Sequence, residues 1–290
     1  MPRPRIAIAT CARYDREMVD DGLLAEALCE RGCEAVSVAW DDPAADWSRF
    51  DLCLVRSTWD YHDRHAEFLD WARRVEAEAR LRNPVDLIAW NIDKRYLREL
   101  AEAGVPTVPT VWVGRGAEAD LEGVLAQRGW QEAVVKPVVD LGARNLHRVR
   151  AGAGSTALQH TLQRGTEAMV QPFLPSLESE GELSLIYVDR DLTHAVRKRA
   201  APGDFRVQSI WGGTVARVEP GSDARRLGEQ ALAQLDEAPL YARVDLVTDP
   251  DGALRLIELE LIEPNLYLSQ HPPAAAALAE AALLRIDVDA

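Results

Sequence analysis

Cysteine is scarce in this chain. Its four residues, Cys11, Cys29, Cys33 and Cys53, all lie near the start of a 290-residue sequence. Their spacing fits no zinc pattern, and a chain this long needs no disulfide framework. They read as buried or incidental thiols of a cytoplasmic protein. Long hydrophobic runs are also missing. No stretch approaches the ~20 apolar residues of a membrane span. The opening MPRPRIAIAT is basic, but its apolar run is too short for a signal peptide, and it reads as a first strand. Positive charge is in deficit, with 33 Lys and Arg against 47 Asp and Glu, for a net charge of −14. Neither nucleic acid nor an anionic membrane is therefore an expected partner. The glycine-rich phosphate loop GxxxxGK[ST] is absent. So are internal repeats, long low-complexity segments and any serine or cysteine in a recognisable nucleophile elbow.

What is present is a hydrophobic content of 47% and enough length for one large or two to three modest domains. The most informative stretch is 241–265, YARVDLVTDPDGALRLIELELIEPN. It reads as two strands around the turn Asp249-Pro250-Asp251-Gly252. Period two puts Leu254, Leu256, Glu258 and Glu260 on one face of the return strand, and Ile257, Leu259 and Leu261 on an apolar face that must be core. A register that buries both apolar faces brings Arg243 and Asp245 beside Glu258 and Glu260. Like charges this close repel by roughly 4 kcal/mol per pair at 4 Å and an effective dielectric of about 20. A hard divalent cation bound through oxygens removes that penalty. A charged solvent face on a surface hairpin is the alternative.

Taken in order, Arg5 to Ala9, Ala35 to Ala39 and Asp51 to Val55 read as strands. A helix carrying Leu23, Leu24, Ala27 and Leu28 lies between the first two and ends at Gly32. Strand–helix alternation implies a parallel α/β sheet. Arg56, Ser57, Thr58, Trp59 and Asp60 follow the third strand, where open sheets bind ligands; the alternative is a polar turn anchored by Trp59. A helix through Phe68, Leu69 and Trp71 runs to about residue 80. Asn91 is expected to cap a helix through Leu97 and Leu100, with a domain boundary near residue 90. Val105 to Val113 is extended, and Leu121 to Arg128 is helical. A strand over Ala133–Val135 then ends on Lys136, which suits an anionic ligand or is merely solvated.

The run AMVQPFLP is a strand and a proline-bounded connector, a flat wall for an adenine ring or simply a linker. Leu183–Val188 and Thr193–Val196 pair around Asp189-Arg190-Asp191. The second strand ends in Arg197-Lys198-Arg199, ahead of a basic loop with Arg206 that is placed to cover phosphates; a basic surface loop is the alternative. Gly212 and Gly213 permit close backbone approach to a ligand or another chain. Ser222–Leu235 and Ala274–Leu284 are expected helices, and 287–290 are expected to fray.

Together these pieces resemble the ATP-grasp superfamily in its glutathione-synthetase-like branch, over about residues 5–285. The resemblance implies an α/β fold with an N-terminal parallel domain (1–90), a small ATP-grasp lobe (91–173) and a C-terminal lobe with the metal site (174–290). It makes Lys94 in NIDK and Lys136 in VVKP phosphate ligands. Gln171, Pro172, Phe173 and Leu174 become the adenine connector, and Glu182 or Glu178 the ribose acid. Asp245, Glu258 and Glu260 are implied as ligands of two Mg2+ ions, with Mn2+ as the alternative metal. Arg243, Lys198 and Arg206 are the implied catalytic cations, with Lys198 and Arg206 on the family's mobile basic loop. Arg56 through Asp60, with Gly212 and Gly213, would face the substrate. Relatives usually carry Asn where this chain has Glu260.

The chemistry implied is activation of a carboxylate as an acyl phosphate by ATP, followed by attack of an amine-type nitrogen. RSTWDYHDR, LIELELIEPN and DFRVQ are most similar to the O-ureido-serine cyclo-ligases of cycloserine biosynthesis. The partner is then a small amino-acid-like carboxylate, with Asp60 or Glu263 holding its ammonium. Dimers or tetramers are common among such proteins. An intermolecular dipeptide-type ligase, a small-molecule phosphotransferase and a non-catalytic nucleotide-binding module are the competing readings.

Overall fold

The computed structural model describes residues 3–13, 18–117 and 120–287. Positions 288–290 of the segment expected to fray lie outside the described residues. The chain opens as alternating strands and helices: β1 (Arg5–Thr10), α1 (Val19–Glu30), β2 (Glu34–Ala39), β3 (Leu52–Ser57), α2 (His65–Glu78) and β4 (Arg80–Arg82). The strands form a parallel sheet in the order β2-β1-β3-β4. Ile6, Ile8, Leu52 and Leu54 face one way, toward Leu24 and Leu28 of α1. Ala7, Ala9, Cys53 and Val55 face the other, toward Phe68 and Trp71 of α2. Both faces are covered, as an all-parallel sheet requires. Strand β4 is too short to show a period in the sequence.

Two short helices follow, α3 (Val85–Asn91) and α4 (Tyr96–Glu102). Asn91 is therefore the last residue of one helix and not the cap of the next. A second, antiparallel sheet has the order β5-β8-β6-β7. It comprises β5 (Val111–Val113), β6 (Glu132–Pro137), β7 (His147–Arg150) and β8 (Ala168–Pro172), with α5 (Leu121–Arg128) and α6 (Ala157–Gln163) packed on one face. Asp120 caps α5 by accepting from the Gly123 N–H at 2.8 Å, and left-handed Gly129 ends that helix.

After the short α7 (Ser176–Ser179), a third sheet has the order β11-β10-β9-β12-β13 and is antiparallel. Its strands are β9 (Glu182–Val188), β10 (Asp191–Arg199), β11 (Thr214–Val218), β12 (Tyr241–Thr248) and β13 (Leu254–Glu260). Helix α8 (Ser222–Leu232) covers one face through Ala224, Leu227 and Ala231. The closing helix α9 (Pro273–Asp287) joins the first and third sheets through one core that contains Leu24, Leu28, Ile186, Leu278 and Ala282.

The hairpin β12–β13 departs from strict alternation. The register shifts between Asp245 and Leu246, so that Asp245 pairs with Glu258 but Leu246 pairs with Leu256. Ile257 is the extra residue of a bulge. Leu256 therefore joins Leu259 and Leu261 in the core, while Ile257 turns to the same cavity as Glu258 and Glu260. A period-two reading cannot see the bulge and puts Ile257 and Leu256 on the wrong faces. Strand β13 is also an edge, and side chains from α3 and α4 complete it. Asn91 Nδ2 donates to the Leu259 carbonyl at 2.9 Å, and the Leu261 N–H donates to Asn91 Oδ1 at 2.9 Å. The Leu259 N–H donates to the Tyr96 hydroxyl at 3.0 Å. Backbone bonds from Pro106 and Val108 hold Leu256.

Candidate active site

One cavity of about 400 Å³ opens between the second and third sheets. Four strands of the third sheet send polar side chains into it or beneath it: Glu182 from β9, Lys198 from β10, Arg243 and Asp245 from β12, and Glu258 and Glu260 from β13. Val134 and Lys136 line it from β6, Gln171 and Pro172 from β8, and Leu174 from the connector. Lys94 reaches in from the turn between α3 and α4. Among the described residues, Asp245, Glu258 and Glu260 are a carboxylate cluster whose oxygens lie within 4.8 Å of one another.

The charges here are heavily interlocked. Asp245 is 1% exposed and accepts from Arg243 Nη2 at 2.9 Å and Lys198 Nζ at 3.2 Å. Ser184 donates to its other oxygen. Burial opposes the Asp245 carboxylate, but Arg243 and Lys198 hold its pKa well below the usual range. Arg243 also pairs with Glu260, and Lys198 with Glu182. Lys94 Nζ lies 3.1 Å from Glu258 and donates to the Asp140 carbonyl at 2.7 Å. Burial works against the Lys94 ammonium, yet Glu258 and Asp140 keep its pKa above the ordinary lysine value. Burial pushes Glu182 and Glu260 up to about 7 each, against the pull of Lys198 and Arg243 respectively. Lys136 differs. It has no hydrogen-bond or ion-pair partner among the described residues, and burial followed by the nearby Lys94 charge lowers its pKa.

These donors fit a hard divalent cation. Asp245, Glu258 and Glu260 offer only oxygen, as Mg2+ prefers, and their mutual repulsion is a cost that a cation would relieve. Glu258 and Glu260 remain partly exposed to the cavity, which leaves room for water and phosphate oxygens.

Lys198 is not on a mobile loop, because β10 extends to Arg199 and Lys198 is 2% exposed within it. Arg206 lines the cavity but is held by Asp204 at 2.7 Å and lies over the Trp211 ring. Trp211 Nε1 donates to the Gly142 carbonyl at 3.0 Å. The basic loop and the loop after Lys136 are thus already in contact.

Several residues expected at the site fall outside the cavity. Glu178 lies at the surface and pairs with Arg148 at 2.6 Å. Phe173, within the connector, is buried and does not line the cavity, its ring edge-on to Phe205. Strand β3 runs on through Arg56 and Ser57, and of Arg56 to Asp60 only Trp59 lines the cavity. Arg56 donates to the Pro264 carbonyl at 2.7 Å and lies over the Tyr241 ring. Ser57 donates to Asp21 at 2.6 Å. Thr58 is fully buried. Asp60 accepts from Trp40 Nε1 at 2.8 Å and Arg64 Nη2 at 2.7 Å. Gly212 and Gly213 serve the chain's own packing. A Cβ on Gly213 would lie 2.1 Å from the Val207 carbonyl oxygen.

The first sheet instead anchors the segment after β13. Arg56 and Trp59 hold Pro264 and Glu263 by their carbonyls, and Asp20 accepts from the Leu266 and Leu268 N–H groups at 2.9 Å. Asn83 bonds the carbonyls of Tyr241 and Leu261. This scaffold presents Glu263, Asn265 and left-handed Tyr267 to the cavity. Tyr267 and Asp140 carry no period or motif that marks them in the sequence, and Asn265, though it ends LIELELIEPN, is assigned no role there. Burial raises the Glu263 carboxyl to about 8, with Glu260 adding to the effect.

Known proteins resemble the chain at every level. Residues 6–83 match the family described as D-cycloserine synthetase DcsG, N-terminal domain. The cycloserine biosynthesis protein DcsG of Streptomyces lavendulae is 34% identical over 278 residues, 91% of this chain and 92% of that protein. Glutathione synthetase of Prochlorococcus marinus (strain MIT 9313) is 31% identical over 186 residues, 62% of this chain and 56% of that protein. The crystal structure of D-cycloserine synthetase DcsG superposes with a TM-score of 0.89 at 32% identity, covering 98% of this chain and 100% of that one. D-alanine–D-alanine ligase of Bacillus anthracis, solved with ATP, shares the fold with a TM-score of 0.71 at 13% identity, covering 100% of each chain. Among the described residues, no helix is long and apolar enough to cross a membrane. The chain belongs to the ATP-grasp family of ATP-dependent, ADP-forming carbon–nitrogen ligases, in the group of the cycloserine synthetase DcsG.

Proposed function

We propose that the protein activates the carboxylate of O-ureido-serine with ATP and closes the molecule on itself to form the isoxazolidinone ring of cycloserine. The observation that carries this reading is the cavity itself, where Lys94, Lys136, Lys198 and Arg243 converge on a three-carboxylate cluster. The likeness to DcsG over 91% of the chain supports the choice of substrate.

In this reading ATP is the co-substrate. Gln171, Pro172 and Leu174 wall the adenine. Glu182 takes the ribose, since Glu178 is outside the cavity and committed to Arg148. Lys94 and Lys136 bind phosphate oxygens. Asp245, Glu258 and Glu260 would hold two Mg2+ ions, whose contribution is to neutralise phosphate charge. The substrate carboxylate attacks the γ-phosphorus and ADP leaves. The aminooxy-derived nitrogen of the ureido group then attacks the acyl carbon, losing its proton as phosphate departs, and water cleaves the carbamoyl group from that nitrogen, releasing it as carbamate, to leave cycloserine. Arg243 steadies the oxyanion between those events. An intramolecular nucleophile needs no second substrate pocket, and holding its two ends together lowers the entropic barrier. The three sheets suggest the division 1–90, 91–173 and 174–290, and a cytoplasmic homo-oligomer is the natural setting.

The test is ADP release with O-ureido-serine as sole co-substrate, each enantiomer separately, with product mass recorded. Turnover with one enantiomer and a cyclised product is expected. No turnover with either, alongside turnover when two different amino acids are mixed, would overturn cyclisation in favour of an intermolecular ligase.

A further inference from the structure

The carboxylates around the cavity differ in one respect. Glu182 is paired with Lys198, Glu258 with Lys94, Glu260 with Arg243, and Asp245 with Arg243 and Lys198. Asp140 is occupied by the Asn145 N–H and side-chain amide. Glu263 is 4% exposed and lines the cavity, yet among the described residues its carboxylate has no hydrogen-bond or ion-pair partner. Burying an acid without a partner is costly, so a group that is meant to meet it must come from the ligand. Glu263 also lies outside the carboxylate cluster able to share one ion, and a lone carboxylate is a poor site for a hard cation.

From this geometry we infer that Glu263 is the specificity residue for the substrate's α-ammonium group, so that the site selects amino acids over their desamino counterparts. The inference rests on the ligase reading above and names the part of the substrate that the reading leaves without a partner. Asp60, the other acid able to play this role by sequence, is excluded because Trp40 and Arg64 occupy both of its oxygens away from the cavity. Trp59 supports the assignment. Its indole N–H donates to the Glu263 main-chain carbonyl at 3.1 Å, and both side chains line the same cavity, so an aromatic ring and an acid are available together to an ammonium ion. Lys136 and Glu263, both without a partner among the described residues, then answer the two charged parts of the reactants, phosphate and ammonium.

Calorimetric titration of the full chain, loaded with a non-hydrolysable ATP analogue and Mg2+, tests the inference. The probes are O-ureido-serine and 3-(ureidooxy)propionate, which lacks the amine. Wild type is expected to bind the amine-bearing compound roughly 10- to 100-fold more tightly, as a charge-assisted contact allows. E263Q is expected to lose that preference while binding the ATP analogue as wild type does, and E263D to recover part of it. A preference that survives in E263Q would overturn the role of Glu263 and leave the proposed function standing. Binding of neither compound by wild type would overturn the proposed substrate and this inference with it.

Discussion

Asn91→Ala removes the side chain that completes the edge of the strand carrying Glu258 and Glu260. In the wild type the Asn91 amide takes the place of a neighbouring strand, donating to the Leu259 carbonyl and accepting from the Leu261 N–H, both at 2.9 Å. Leu259 and Leu261 are 1% and 0% exposed, so their backbone groups have no bulk water to fall back on. A buried donor or acceptor left without a partner costs about 1–3 kcal/mol. Two such groups set an expected loss of roughly 2–6 kcal/mol, a large part of the ~5–15 kcal/mol that stabilises most domains. Urea unfolding of wild type and variant at one pH measures it, with the transition midpoint lowered and the slope unchanged. Glu258 and Glu260 flank Leu259, so the same variant should bind Mg2+ less tightly in calorimetry with an ATP analogue. A stability loss below about 0.5 kcal/mol would refute the idea that Asn91 substitutes for a strand.

Lys136→Met should weaken a non-hydrolysable ATP analogue by roughly 10- to 100-fold, because the lost charge-assisted contact is worth ~1.5–3 kcal/mol; unchanged affinity would remove Lys136 from the phosphate site. Glu258→Gln should lower turnover by about 100-fold or more with little change in the urea midpoint, and wild-type rates at limiting Mg2+ would count against a metal at the hairpin. Asp245→Asn should also cost stability, roughly 1–3 kcal/mol, since it takes a shared buried carboxylate from Arg243 and Lys198 and leaves each with one acid, Glu260 and Glu182 respectively. His194 gives a pH signature. Burial, then His271, lowers its pKa to about 4, against an ordinary ~6.5 in the unfolded chain. The unfolded state therefore binds the proton more readily between those values. The stability this neutral ring contributes is complete above about pH 6.5 and is lost as pH falls toward 4. Between about pH 7.5 and 5, wild type should lose roughly 2 kcal/mol more than His194→Gln, and parallel urea profiles would contradict the assignment.

Much of the site was readable because its chemistry is out of place locally. Charged residues at period two in the apolar run LIELELIEP, and lysines at the ends of apolar strands, have few structural uses. Lys94, Lys136, Lys198, Arg243, Asp245, Glu258 and Glu260 all proved to converge. What escaped depends on contacts distant in sequence. The bulge at Ile257 is set by pairing with β12, which no single-strand pattern records. Asn91 looked like a helix cap because its partners, Leu259 and Leu261, lie far along the chain. Arg56, Ser57, Thr58 and Asp60 are polar residues at the carboxyl end of a parallel strand, the usual place for a ligand, but Arg56 ties the first sheet to the segment after β13, while Ser57 and Asp60 bond within the N-terminal unit. Glu263 was one of two open choices for an ammonium partner, and only the fold separates it from Asp60, whose oxygens are taken by Trp40 and Arg64 away from the cavity.

The central claim is that the substrate carboxylate is phosphorylated and then displaced by nitrogen from the same molecule. Turnover of O-ureido-serine carrying 18O in both carboxylate oxygens tests this directly. Attack on the γ-phosphorus moves one carboxylate oxygen into the bond that later breaks, so mass spectrometry should find one 18O in each released phosphate and one retained in the cyclised product. Unlabelled phosphate released alongside ADP would contradict carboxylate activation and, with it, the ligase mechanism assigned to this cavity.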